Sequence, residues 1–231
     1  MPTVFITGAN RGIGLGLTRV YAADGWKVIA TARNPAEATE LAAVSGDVSG
    51  DVTVEKLDVT DHARVKELAQ KWKGEPIDIL FNNAGVNGRG ASAFGRIDPE
   101  DLRYAFEVNT FAPILIAEAF VAHVAASEQK KMAFTSSRLG SIGSKGGGGG
   151  YAYGASKAAL NMECKALSAD VRGQGIVVIP FHPGHVATDM GGHGAPVSPE
   201  ESAKGMKAVL ERATLGDSGK FVDYGGEPIP W

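Results

Sequence analysis

Short runs of β-branched and aromatic residues alternate along the chain with longer stretches of helical apolar spacing. That alternation predicts a parallel sheet covered by helices on both faces. The strands are expected at residues 3–7, 27–31, 52–57, 77–81, 131–136, 176–180 and 220–224. Helices are expected at 12–24, 35–44, 151–172 and 199–212, and another follows Asp61, which reads as its N-cap. Residues 99–127 read as one long helix or two abutting ones. About seven strands, no Pro/Ser-rich linker and no repeat of solenoid period predict one doubly wound α/β domain over residues 1–231.

Composition narrows this without changing it. With 44% hydrophobic and 21% charged residues in 231, the bulk of the chain can bury a core. Lys plus Arg number 23 against 26 Asp plus Glu, a formal net charge of −3, so the basic footprint of a nucleic-acid or acidic-membrane binder is absent. The single cysteine, Cys164, cannot close an intrachain disulfide and reads as a packing residue. The opening MPTVFITGAN lacks the layout of a signal peptide. Residues 111–126, the most apolar stretch, are interrupted by Pro113, Glu118 and His123 and fall short of the roughly 20 residues a membrane span needs. A soluble, cytoplasmic protein is expected. One excess stands out: 31 glycines, of which 20 fall in segments 8–16, 85–95, 140–154 and 184–194, after the first, fourth, fifth and sixth strands.

Strand ends are where an open α/β sheet binds ligands, so the motifs there carry the chemistry. Residues Thr7-Gly8-Ala9-Asn10-Arg11-Gly12-Ile13-Gly14 lie between a strand and a helix, the context of a Rossmann dinucleotide turn. Its glycines let backbone approach a pyrophosphate, and the helix N-terminus offers free N–H groups. In Tyr153-Gly154-Ala155-Ser156-Lys157 the phenol and the ammonium share one helix face, a turn apart. An unperturbed phenol titrates near pH 10, and a neighbouring cation favours its ionised form. Ser136-Ser137-Arg138 closes the fifth strand, where a hydroxyl can donate to a carbonyl oxygen that gains charge. Asn82-Asn83-Ala84-Gly85 and Asn109 complete the set.

In this order, and over the whole length, these segments resemble the short-chain dehydrogenase/reductase family, with its glycine turn, NNAG segment, Asn-Ser-Tyr-Lys set and PG…T segment. SSRLGSIG, GYAYGASKAALNM, HPGHVATDMGG and the final Ile229-Pro230-Trp231 look most like the C-factor and sniffer-type carbonyl reductase branch. The resemblance implies an oxidoreductase reducing a ketone or aldehyde. Tyr153 would be the general acid/base and Lys157 would depress its pKa and hold the nicotinamide ribose. Ser137 would orient the substrate carbonyl, and Asn109 would anchor a water linking Lys157 to solvent. Cofactor contacts would come from Gly8, Asn10, Arg11, Gly12, Ile13, Gly14, Asn83, Ala84, Gly85, Tyr153, Lys157, Pro183, Gly184, Val186 and Thr188, with Asp58 and Val59 against the adenine. A C-factor-like, nucleotide-binding signalling protein with little turnover is the alternative, and a homodimer or tetramer is the family's usual assembly.

Two departures sharpen the expectations. Ser137 and Tyr153 are 16 residues apart, further than in family members without an insertion, and the glycine run 146–150 lies in the gap as a compact loop. Ser136 and Ser141 therefore stand as alternative sources of the hydroxyl. The acidic residue that grips the ribose 2′-hydroxyl in NAD enzymes is missing after the second strand, which reads Ala30-Thr31-Ala32-Arg33. Arg33 and Arg11 offer guanidinium forks for a 2′-phosphate, so the expected cofactor is NADP(H). His182, His185 and His193 lack the partners of a metal site, and no metal is expected. His185 would shape the substrate cleft, and residues 188–200 would form the substrate loop.

Overall fold

The computed structural model describes residues 1–47, 51–88 and 94–231. Seven parallel strands form one sheet in the order β3-β2-β1-β4-β5-β6-β7: β1 Thr3–Ile6, β2 Lys27–Ala32, β3 Val52–Lys56, β4 Ile79–Asn82, β5 Lys131–Thr135, β6 Val177–His182 and β7 Val222–Asp223. The helices are α1 Gly12–Ala23, α2 Thr39–Asp47, α3 His62–Lys71, α4 Pro99–Phe106, α5 Ala112–Ala125, α6 Tyr153–Asp170 and α7 Pro199–Arg212. The segment predicted as a helix at 35–44 splits into a 3-10 turn, Pro35–Glu37, and α2, because Pro35 fixes the start of the turn rather than of a longer helix.

Period-2 alternation sends successive strand residues to opposite sides. Val4 and Ile6 join Val28, Ala30, Ile79 and Phe81 in the layer under α1, α2 and α7. Phe5 points the other way, with Ile29 and Leu80, into the layer under α3, α5 and α6, where its ring lies 4.6 Å from that of Phe120. Both faces are covered, which is why the strands read as continuous apolar runs. Asp61 caps α3 as expected, its carboxylate accepting from Arg64 N at 2.9 Å. Asp61→Ala is expected to cost about 1 kcal/mol in urea unfolding, with no change in the slope of the transition.

Between α4 and α5 the chain makes a π turn, Glu107–Phe111, and Ala112 N–H donates to Glu107 O, five residues back. Pro99–Ala125 thereby becomes one continuous rod of 27 residues, long and apolar enough to cross a bilayer by length and composition, although residues 111–126 alone fall short. In this fold more than half of its apolar window is buried. The buried face lies against the sheet and α3, with Ile116, Phe120 and Val124 fully enclosed.

The sheet order turns back at β1, whose neighbours are β2 and β4. At that point the connections leave on opposite sides and a crevice opens beyond the carboxyl ends of the strands. The glycine turn, the NNAG segment, Ser137, Tyr153, Lys157 and the Pro183-Gly184 segment all border it.

Candidate active site

The turn from β1 into α1 is built around close approach. At Gly14 a side chain's Cβ would fall inside van der Waals contact of the Gly8 carbonyl oxygen and 2.7 Å from Asn83 Nδ2. Only hydrogen fits. The start of α1 has no side-chain cap, so its first N–H groups remain free to face a ligand. Thr7 ties this turn to the next strand end. Its hydroxyl oxygen accepts from Asn83 N (2.9 Å) and Ala84 N (3.0 Å), while Asn83 Nδ2 donates to Thr7 O (3.0 Å) and Gly8 O (3.2 Å). Asn83 thus organises the glycine turn as well as lining the cleft.

Asn109 sits inside the π turn and is fully buried. Its Nδ2 donates to Val86 O (2.8 Å) and Ser156 Oγ (3.0 Å), and its Oδ1 accepts from Val86 N (2.9 Å). The side chain therefore staples the backbone following the NNAG segment to α6. A Cβ on Gly85 would stand 3.2 Å from Asn109 Oδ1 and 3.4 Å from Lys157 Nζ, so both atoms border the same small space.

Three serines compete for the role beside the tyrosine, and geometry separates them. Ser136 is 1% exposed and donates to Asn161 Oδ1 at 2.6 Å. Ser141 is 1% exposed, and its hydroxyl is committed to Pro230 O and Ser144 Oγ beneath the C-terminal residues. Ser136 and Ser137 both line the cleft, but of the three only Ser137 acts on the Tyr153 phenol, as a hydrogen-bonding neighbour that favours its ionised form. Ser137 also caps the 3-10 turn Arg138–Gly140, accepting from Leu139 N at 3.1 Å. That turn packs on α6 so tightly that a Cβ on Gly140 would lie 2.7 Å from the Lys157 backbone. The hydroxyl is thereby held against the helix that carries Tyr153 and Lys157. The glycine run 146–150 makes no such contacts at residues 146–149 and loops outside, absorbing the extra residues.

α6 buries Ser156, Lys157 and Asn161 on a face that ordinary packing would make apolar, and each has a partner. Lys157 Nζ donates to Thr135 O at 2.7 Å and lies 5.9 Å from the Tyr153 ring centre. Burial pulls its pKa down to about 8. Burial also raises the Tyr153 phenol above its ordinary value, and the opposing influence is the hydrogen bond with Ser137. The depression by Lys157 anticipated from spacing is absent, because the ammonium is turned to a backbone carbonyl instead.

These groups share one cleft of about 2090 Å³. It runs from Arg33, Asp58 and Val59 at one end, past Gly8 to Gly14, Asn83 to Gly85, to Ser137, Tyr153 and Lys157, with residues 182–191 along its rim. Asp58 is fixed by Thr60, whose N and Oγ1 donate to its Oδ1 at 3.0 and 2.8 Å. On the rim, Pro183 O accepts from Ser202 Oγ (2.6 Å), Val186 bridges to Val197, and Thr188 Oγ1 accepts from Gly191 N (3.0 Å).

The sequence pattern described as short chain dehydrogenase matches residues 2–196. The chain belongs to the short-chain dehydrogenase family. C-signal of Myxococcus xanthus is 39% identical to it over 156 residues, 68% of this chain and 93% of that protein. The carbonyl reductase Sniffer of D. melanogaster superposes with a TM-score of 0.90 at 30% identity, each chain covered in full. An NADPH-bound carbonyl reductase from chicken fatty liver gives 0.89 at 33%, covering 100% of this chain and 99% of that one. Within the family the chain sits on the C-factor and sniffer branch, and it is an oxidoreductase.

As a short-chain dehydrogenase it departs from the sequence expectations at Arg11. The guanidinium does not face the Arg33 end unengaged but pairs with Asp189 Oδ2 at 2.7 Å, joining the glycine turn to the substrate loop. The two residues are 178 apart in sequence, and nothing local announces the contact. Thr188, assigned to the nicotinamide, also closes on the turn, since a Cβ at Gly12 would lie 3.0 Å from its methyl. Thr7 and Ser156 were missed as organising residues. Among the described residues, no group of three or more His, Cys, Asp or Glu is placed to hold a metal ion.

Proposed function

We propose that this short-chain dehydrogenase uses NADPH to reduce a ketone or aldehyde to an alcohol, reversibly. The observation that carries the reading is the meeting of Ser137, Tyr153 and Lys157 in one cleft, with Lys157 buried and donating to Thr135 O behind the phenol. The residues present fit the cofactor. The uncapped start of α1 and the space kept by Gly14 suit a pyrophosphate, and Asp58 with Val59 borders the adenine end. Arg33 is exposed beside that end and, among the described residues, has no carboxylate within ion-pair distance, which suits a 2′-phosphate. NADPH supplies the hydride when bound.

The chain's own residues then manage the proton. Ser137 donates to the substrate carbonyl oxygen and orients it. Tyr153 O–H delivers the proton to the same oxygen as charge develops. Its raised pKa keeps the phenol protonated at neutral pH, and a protonated phenol is the form that reduction requires. Lys157 replenishes the proton and holds the ribose hydroxyls, and Asn109 positions the strand-end backbone beside it. The intact proton-transfer set favours an enzyme over a signalling protein without turnover. Steady-state NADPH oxidation against ketones, aldehydes and quinones tests this, and no oxidation with any of them would overturn it.

Arg33→Ala is expected to lower the kcat/KM preference for NADPH over NADH by about 30-fold, the worth of one charge-assisted contact of ~2 kcal/mol. Parallel titrations with both nucleotides check it. An unchanged ratio would remove Arg33 from the 2′-phosphate site.

A further inference from the structure

Charge along the cleft is mostly paired. Arg11 is engaged by Asp189, Arg19 by Glu40 and Arg103 by Glu100, and Glu107 lies 3.1 Å from His62 Nε2. Two lining arginines remain without a carboxylate in reach among the described residues, Arg33 at one end and Arg138 at the other. The first is absorbed by the 2′-phosphate. The second follows Ser137 directly, opens the 3-10 turn and is exposed in the cleft where substrate must enter.

A histidine stands with it. His182 ends β6 on the facing part of the wall, and its Nδ1 is buried with no hydrogen-bond partner in the protein. Burial holds His182 neutral, its pKa lowered to about 4, and the neighbouring Arg138 guanidinium pushes in the same direction, against Asp223. Asp223 is itself occupied, accepting from Gly225 N and Glu227 N at 2.9 and 3.0 Å. His185 is turned away, its Nε2 bonded to Gly191 O at 2.8 Å. What is left at the catalytic end is one planar guanidinium fork beside a neutral imidazole, with Lys157 adding positive potential behind them.

We propose that Arg138 forms a carboxylate subsite beside Ser137, so that the carbonyl substrate carries an acid group. The guanidinium takes the two carboxylate oxygens as a bidentate fork. The inference rests on the reductase reading, to which it adds the substrate class. A neutral ketone would leave the Arg138 fork to water, whereas an acid pairs with it and is fixed in orientation with its carbonyl toward Ser137 and Tyr153.

The test compares 4-carboxybenzaldehyde and levulinate, each against its own methyl ester, at saturating NADPH. The acid is expected to exceed the ester in kcat/KM by about 30-fold in at least one pair, the size of one charge-assisted hydrogen bond. Arg138→Gln should collapse that ratio toward one and Arg138→Lys should restore part of it. Because the ratio is internal to each variant, a general loss of folded protein does not move it. An ester reduced as well as its acid in both pairs, or a ratio unchanged in Arg138→Gln, overturns the subsite while leaving the reductase intact. If no carbonyl consumes NADPH, the reductase reading fails instead. Calorimetric titration of 4-(hydroxymethyl)benzoate into the NADPH complex still decides the subsite: about 30-fold weaker binding in Arg138→Gln supports it, and equal binding overturns it.

Discussion

Tyr153→Phe is expected to lower kcat/KM for carbonyl reduction by about 10²- to 10⁴-fold, the range over which a positioned general acid contributes. The substitution removes one oxygen and keeps the ring, so the buried packing of the N-terminal turn of α6 is retained. What disappears is the proton donor and the partner of Ser137. NADPH affinity should stay within about threefold, since the free N–H groups of α1 and the Arg33 fork lie elsewhere in the cleft. The loss should therefore appear in kcat rather than in the dissociation constant of the cofactor. Fluorescence titration of NADPH alongside initial rates separates the two. Wild-type turnover in this variant would remove Tyr153 from the chemistry and with it the proton path through Lys157.

The parts of this molecule legible in the sequence are those fixed by local pattern. Alternating apolar runs located all seven strands to within a few residues, and a polar residue before a periodic stretch located the cap at Asp61. Motif spacing also brought Ser137, Tyr153 and Lys157 to the same wall, because each is tied to the end of a strand or the start of a helix. The π turn escaped notice because the apolar pattern of residues 99–127 continues across it unbroken, while the shift lies only in the backbone ladder at Glu107 and Ala112. Its consequence reaches the candidate site, since it is the turn that holds Asn109. Choosing among Ser136, Ser137 and Ser141 needed partners that are distant in the chain: Asn161 for the first and Pro230 for the third. The Arg11–Asp189 pair has the same origin.

Glycine shows the same division. Its concentration at strand ends was visible in composition, but its purpose differs from site to site. At residues 146–148 a side chain would meet open space, so glycine there serves only a loop. At Gly140 the Lys157 backbone leaves no room, and the same atom-to-atom closeness that excludes a Cβ keeps the Ser137 hydroxyl near α6. Sequence counts treat these residues alike, whereas packing distinguishes them.

The most exacting of these positions is Gly14, and Gly14→Ala is expected to weaken NADPH binding by about 10²- to 10⁴-fold. The added methyl would overlap the Gly8 carbonyl and crowd Asn83 Nδ2, which is bonded to that same carbonyl. Neither neighbour can retreat alone, because Asn83 is also anchored to Thr7. The glycine turn must therefore move as a unit away from α1, and the N–H groups that face the pyrophosphate move with it. Losing two charge-assisted hydrogen bonds of about 1.5–3 kcal/mol each gives the stated range. The displaced segment lies at the edge of the sheet's carboxyl end, outside the Phe5 and Phe120 layer, so the far-ultraviolet circular dichroism should be retained. Carbonyl reduction should fall mainly through the KM for NADPH, in contrast to the kcat effect at Tyr153. Isothermal titration of the variant with NADPH checks this directly. An affinity within threefold of wild type would mean that the turn yields without cost, and that the close packing at Gly14 does not hold the pyrophosphate site in place.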